Sequence, residues 1–229
     1  MEICCYQLLR FVLLLFFQYK DLLSCAPYPV VMKKILLPIL FFVTFFSFLS
    51  AQDIVEVRKV DFKKTKGYWI QMEVELFCGT NTLATARHKD YAENVKVKVY
   101  LAYERDASAR LYDYYTSEVE VVIMEANEDY NVYFYLPGLI AERDRLNQPE
   151  PAYYYVEISV GGTAQAPKGG SRAISDQIKN LQVLQSFLTQ AEAGSAVNDS
   201  ILMPIYYAPN EFWVRVDDLP LFLRRDVRD

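Results

Sequence analysis

Tyr68-Trp69-Ile70-Gln71-Met72-Glu73-Val74-Glu75-Leu76-Phe77 is the stretch on which the fold turns. Side chains on an extended strand point by turns to opposite faces. One face here carries Tyr68, Ile70, Met72, Val74 and Leu76; the other carries Trp69, Gln71, Glu73, Glu75 and Phe77. The segment therefore predicts a strand buried on one side.

The same device recurs outward from it. Val95, Val97, Val99 and Leu101 alternate with Lys96 and Lys98 over Val95–Tyr103, and Val119, Val121 and Ile123 alternate within Glu118–Met124. Tyr130–Leu136 offers Val132, Phe134 and Leu136, and Ala152–Val160 offers Tyr154, Val156, Ile158 and Val160 against Tyr153, Tyr155 and Glu157. Ile54–Lys63 reads as a first strand, Ser200–Tyr207 and Phe212–Val216 as a late pair. Turn residues fall between them: Lys66-Gly67, Asn127–Asp129, Pro137-Gly138, Pro149 and Pro151. Parallel sheets need continuously apolar strands and crossover helices, and neither is present. The expected class is mainly β, an antiparallel sandwich.

One segment departs from this rhythm. Ile174, Ile178, Leu181, Leu184, Phe187, Leu188 and Ala191 recur at spacings of three and four, the stripe of one amphipathic helix over about 174–191, inserted between late strands. Ser171 or Ser175 is the expected cap at its start and Gly194 its stop.

Residues 32–51 decide where the chain goes. Met32-Lys33-Lys34, the apolar run Ile35–Phe46 and the exit Ser47-Phe48-Leu49-Ser50-Ala51 are ordered as a secretory signal peptide, with cleavage expected after Ala51. Residues 1–31 fit as an upstream, mis-translated segment ahead of the true start at Met32. Two other readings stand beside this one. Leu22-Leu23-Ser24-Cys25 has the form of a lipoprotein box, and Ile35–Phe48 is a retained anchor, although shorter than the roughly 20 residues of a spanning helix. Membrane attachment is expected only through an uncleaved signal segment. Residues 52–229 are then a single domain of 178 residues with 20 basic and 27 acidic side chains, so bulk charge offers nucleic acid nothing. Cys78 is the one cysteine of that domain, which leaves packing rather than disulfides to hold it; after a strand pattern, it reads as a buried small hydrophobe.

Residue types that carry chemistry are scarce. His88, the only histidine, lies between Arg87 and Lys89 in a polar stretch, and a hydrolytic triad or zinc site would have to use it. Glu125, Glu128, Asp129, Glu142, Asp144, Asp217 and Asp218 sit in turn-like contexts without the spacing of a calcium loop. In Gly161-Gly162-Thr163 and Lys168-Gly169-Gly170-Ser171 the lysine precedes the glycines, the reverse of a phosphate loop. No catalytic residue, metal or cofactor is assigned. The domain holds 15 tyrosines and 6 phenylalanines, and tyrosine favours half-wet surfaces. Trp69, Phe77, Tyr133, Tyr135, Tyr153 and Tyr155 fall on outward faces. Trp69, Tyr133, Tyr135, Tyr153 and Tyr155 are the candidate interaction surface, unless the helix or a loop covers them.

The exported start, the strands Tyr68–Phe77 and Val95–Tyr103, the Tyr153-Tyr154-Tyr155 strand and the helix before Ile201–Tyr207 together resemble exported bacterial pilus-like proteins associated with type IV pilus gene clusters. That resemblance is one of layout. It implies an immunoglobulin-like sandwich with a surface or assembly role and no catalytic residues. The long N-terminal helix of a true pilin is missing, since Ser50-Ala51-Gln52 leads into a strand. The expectation is a non-enzymatic protein of the periplasm or outer surface, with an envelope or pilus-associated protein as partner. A carbohydrate-binding module is the alternative, and an envelope glycoside hydrolase the distant one.

Overall fold

In the computed structural model, residues 53–106, 108–165, 172–212 and 219–223 are described. Residues Gln52–Asp229 form one unit. Its strands are β1 (Val55–Lys64), β2 (Ile70–Cys78), β3 (Tyr91–Asp106), β4 (Leu111–Glu125), β5 (Asp129–Leu136), β6 (Tyr153–Val160), β7 (Thr163–Ala164), β8 (Met203–Pro204) and β9 (Leu221–Phe222). Its helices are α1 (Gly138–Arg143) and α2 (Leu181–Ser195). No helix among the described residues is long and apolar enough to cross a membrane.

The strands make two antiparallel sheets, β1-β2-β5-β8 and β7-β6-β3-β4-β9. Within them, β1-β2-β5 and β7-β6-β3-β4 follow the strand order of an immunoglobulin-like sandwich. The alternation read from the sequence selects the inner faces, except at Ile123, which is exposed while Met124 turns into the core. Ile70, Met72, Val74 and Leu76 oppose Leu136, Phe134, Val132 and Tyr130 in register across β2 and β5. Val95, Val97 and Val99 sit between Val121, Val119 and Ser117 of β4 and Val160, Ile158 and Val156 of β6. These valines and their neighbours from both sheets form one continuous core.

Several expectations need correction. The faces keep alternating past Val99, with Leu101 and Tyr103 turned into the core, but Tyr100 and Ala102 on the outer face are buried as well because α2 lies over them at that end. The tyrosine-rich run Leu111–Ser117, not expected as a strand, extends β4 for the same reason: Tyr115 points into the core, while Tyr112 and Tyr114 meet the helix. The helix begins at Leu181, not Ile174. Asn180 caps it, its side chain accepting from the Val183 N–H at 2.9 Å. Ile174 instead bridges Tyr155 at the sheet edge. Gly194 lies inside the helix, because a Cβ there would press into the Tyr114 ring. The late strands shrink to β8 and a 3-10 turn at Ile205–Tyr207, since Pro204 and Pro209 cannot donate to a ladder; Phe212 closes a second such turn, and 213–216 lie outside the described residues.

The two sides of the sandwich differ. On one, β8 pairs with β5 and β9 with β4, and Tyr206 packs on Phe222 at 5.6 Å, closing the gap between the sheets. On the other, β1 ends the first sheet with no further strand among the described residues.

Candidate functional site

The open side is built around β1. At its start the Gln165 side chain takes the place of a strand: its Oε1 accepts from Ile54 N at 2.6 Å and Val55 N at 3.3 Å, and its Nε2 donates to Val55 O at 3.0 Å. The register with β2 then slips by one residue between Val57 and Lys59, a bulge at Arg58. Past the bulge, no described strand pairs with the outer edge of β1 through Lys64. Lys59, Asp61 and Lys63 point outward, their side chains 60%, 48% and 56% exposed. Val60 and Phe62 point inward and are half-buried against the core.

Across from this edge runs the segment 172–180. Ala173 O accepts from Val156 N at 2.8 Å and Ser175 N donates to Tyr154 O at 3.1 Å, so this stretch completes the edge of β6 that β7 begins. Between the two edges lies a cleft of about 1000 Å3. Its apolar wall is Val60, Phe62, Tyr154, Ile174, Ile178 and Leu184, and its rim carries Asp61, Glu150, Asp176, Arg172 and Lys179. Tyr154 sits 5.4 Å from Phe62, ring to ring, and donates to Arg172 O at 3.4 Å. Burial, then Glu150 and Asp176, pushes its hydroxyl pKa up, so it stays a neutral donor. Exposed Leu181 extends the apolar wall to the surface. The arrangement offers a strand edge that no described strand pairs, a greasy wall and mixed charge. It suits an extended polypeptide better than a small polar substrate.

The five candidate interaction residues do not form an open patch. Their assignment to outward faces is right, but other segments cover them. Tyr153 and Tyr155 lie beneath α2, where Phe187 stands 6.0 Å from Tyr153; Tyr155 is buried and its hydroxyl is pushed up to about 12, mainly by that burial. Tyr133 and Tyr135 lie beneath the segment 204–212, with Phe212 stacked on Tyr135 at 5.3 Å and accepting its hydroxyl at 3.0 Å. Trp69 is half-buried at the edge of that cover, 5.1 Å from Phe212. Phe77 packs under Arg58, whose guanidinium sits 3.8 Å from the ring centre. The platform on which a sugar would stack is thus packed away.

The remaining candidates are scattered. His88 is exposed, edge-on to Tyr91. Cys78 is fully buried, and desolvation raises its thiol to about 11. Asp129 pairs with Arg58 at 2.8 Å; Glu125, Glu128 and Glu142 are exposed; Asp217 and Asp218 lie outside the described residues. Asp144 alone is engaged in depth: Arg143 holds it and the buried Tyr115 hydroxyl donates to it. Arg143 first, and then Tyr115, hold its pKa below the usual carboxylate value against the opposing effect of burial. That cluster pins α1 to β4. No group of three metal-ligating side chains converges among the described residues.

Sequence reasoning missed the cleft. Its one local signal was the glycine-rich Gly161–Ser171 stretch, which precedes the edge-forming Ala173–Ser175.

No family model matches the chain, and no curated protein does. Among solved structures, the fold is similar to a crystal structure of a protein from Akkermansia muciniphila, with a TM-score of 0.54 and 15% identity, covering 75% of this chain and 93% of that one. At that identity the likeness speaks for a shared sandwich fold and no further.

Proposed function

We propose that this is an exported, non-enzymatic sandwich protein that works through protein contacts at the bacterial cell envelope, in association with pilus machinery, with the open side of the sandwich as its contact face. The order of charges, apolar run and small residues over Met32–Ala51 supports export. The single observation that carries the contact reading is the outer edge of β1 past Arg58, bordered by a cleft and paired with no strand among the described residues, while β8 and β9 close the opposite side. Unpaired edge groups on a long strand are a template for adding another strand.

The test is made in the native host, on the chain expressed from its full sequence. A photo-reactive side chain is placed at Asp61, on the free edge, and in a second variant at Gln185, exposed on α2. The expected result is an envelope form whose amino terminus is Gln52 and a discrete adduct from position 61 with none from 185. A cytosolic product starting at Met1, or adducts from neither position, would overturn the reading.

A further inference from the structure

The charge order along β1 is complementary to itself when the strand is reversed. Turned antiparallel about Val60, Lys59 falls opposite Asp61 of a second copy, and Asp61 opposite the second copy's Lys59. The bulge at Arg58 takes up one residue on each strand. Beyond it, Val57 meets Phe62 and Glu56 meets Lys63, twice over. Directly opposed residues of an antiparallel pair share a face. Glu56, Lys59, Asp61 and Lys63 all lie on the outer face of the first sheet, across from Phe77, Glu75, Glu73 and Gln71. Val57, Val60 and Phe62 all lie on the inner face.

We infer that the open edge of β1 is occupied by β1 of a second copy of this chain, joining the two four-stranded sheets into one across a twofold axis at Val60. The interface is isologous, as closed dimers require. It makes four cross-strand pairs of opposite charge from exposed side chains, with Lys63, which reaches Glu73 at 3.6 Å within the single chain, gaining Glu56 as a second partner. Lys59, which already reaches Asp61 on its own strand, becomes part of an alternating ring of four charges. Of the strand's other cations, Arg58 is offset by the carboxylate of Asp129, and Lys64 is turned to Asn147 O, to which it donates at 2.9 Å. On the inner face, half-buried Val60 and Phe62 gain cover at the mouth of the cleft. The inference rests on the open side being the contact face and names the occupant.

Sedimentation equilibrium on the protein expressed from its full sequence is expected to give twice the chain mass. Asp61→Lys places Lys59 opposite a lysine twice, and Lys59→Asp places Asp61 opposite an aspartate twice. Each variant alone should weaken association by on the order of tenfold or more, since two attractive cross-strand pairs become repulsive. Mixed in equal amounts, the two variants should form a mixed dimer, and the double swap Lys59→Asp with Asp61→Lys should self-associate again. This rescue also shows that both variants fold. Val60→Cys should oxidise to a covalent dimer, because directly opposed positions stand about 4.5–5.5 Å apart at Cβ, while buried Cys78 takes no part. A wild-type monomer at high micromolar concentration overturns the inference, as do single variants that associate like wild type or a mixture that fails to pair. The contact reading is separable: a monomer whose position-61 adduct contains a different protein refutes self-pairing and leaves the contact face standing, whereas no adduct at all refutes both.

Discussion

Gly138 makes the tightest approach of the described glycines, and replacing it with alanine isolates a single steric effect. A Cβ built there would drive into the carbonyl oxygen of Gly67, stand 3.0 Å from the carbonyl carbon, and come within 3.3 Å of Trp69 Cδ1. The obstacle is backbone, at the turn Lys66–Tyr68 joining β1 to β2, so no rotamer change relieves it. Either α1 lifts from that turn or the turn moves, carrying Trp69 away from Phe212 and loosening the cover on Tyr135. Overpacking of this kind costs about 1–3 kcal/mol, and a backbone obstacle places Gly138→Ala near 3 kcal/mol. With a urea slope of about 2 kcal/mol per molar, the unfolding midpoint should fall by roughly 1.5 M. Two further glycines serve as controls. Gly79→Ala puts its Cβ at an ordinary 3.5 Å from Ile54 O and should change stability by no more than about 0.5 kcal/mol. Gly162 has φ +80 and open space around it, so Gly162→Ala carries dihedral strain alone, about 1–2 kcal/mol. The readout is a urea titration followed by tryptophan fluorescence. A Gly138→Ala midpoint equal to that of Gly79→Ala would refute the claim that α1 and the β1–β2 turn are locked together.

Three other outcomes are expected. Asn180→Ala removes the side chain that accepts from Val183 N and should cost about 1 kcal/mol, seen as faster amide exchange in the first turn of α2. Tyr115→Phe removes a donor to Asp144 and should cost about 1.5–3 kcal/mol at neutral pH. Because the folded-state pKa of Asp144 is lowered, its stabilisation is full above the ordinary carboxylate pKa of about 4 and is lost as pH falls through the lower folded value. The gap between wild type and Tyr115→Phe should therefore narrow in acid, and a gap that stays constant to low pH would contradict the assignment. Cys78 is buried with its thiol raised to about 11, so a thiol reagent at pH 8 should label the folded protein only at the rate at which it opens.

Much of the sandwich was legible in the linear pattern. The period of two in Ile70–Leu76, Val95–Val99 and Val156–Val160 reports which side chains face inward, because strand geometry imposes it locally. The same pattern placed Tyr153, Tyr155, Tyr133 and Tyr135 correctly on the outward faces. It contained nothing about what lies over them: α2 and the segment 204–212 arrive from elsewhere in the chain. Helical spacing located α2 but drew Ile174 into it, since a bridge residue facing a core and a helix stripe residue look alike one at a time. Because glycine ends helices, Gly194 reads as a stop; only the Tyr114 ring beneath it gives its reason for being there. The candidate site was the least legible part. Whether β1 is flanked by another strand depends on the order of strands in the sheet, and the cleft exists because Ala173–Ser175 returns to β6 instead of crossing to β1. Local periodicity thus determined the strands and their faces, while strand order and the long-range docking of α2 and 204–212 decided which of those faces and edges meet water.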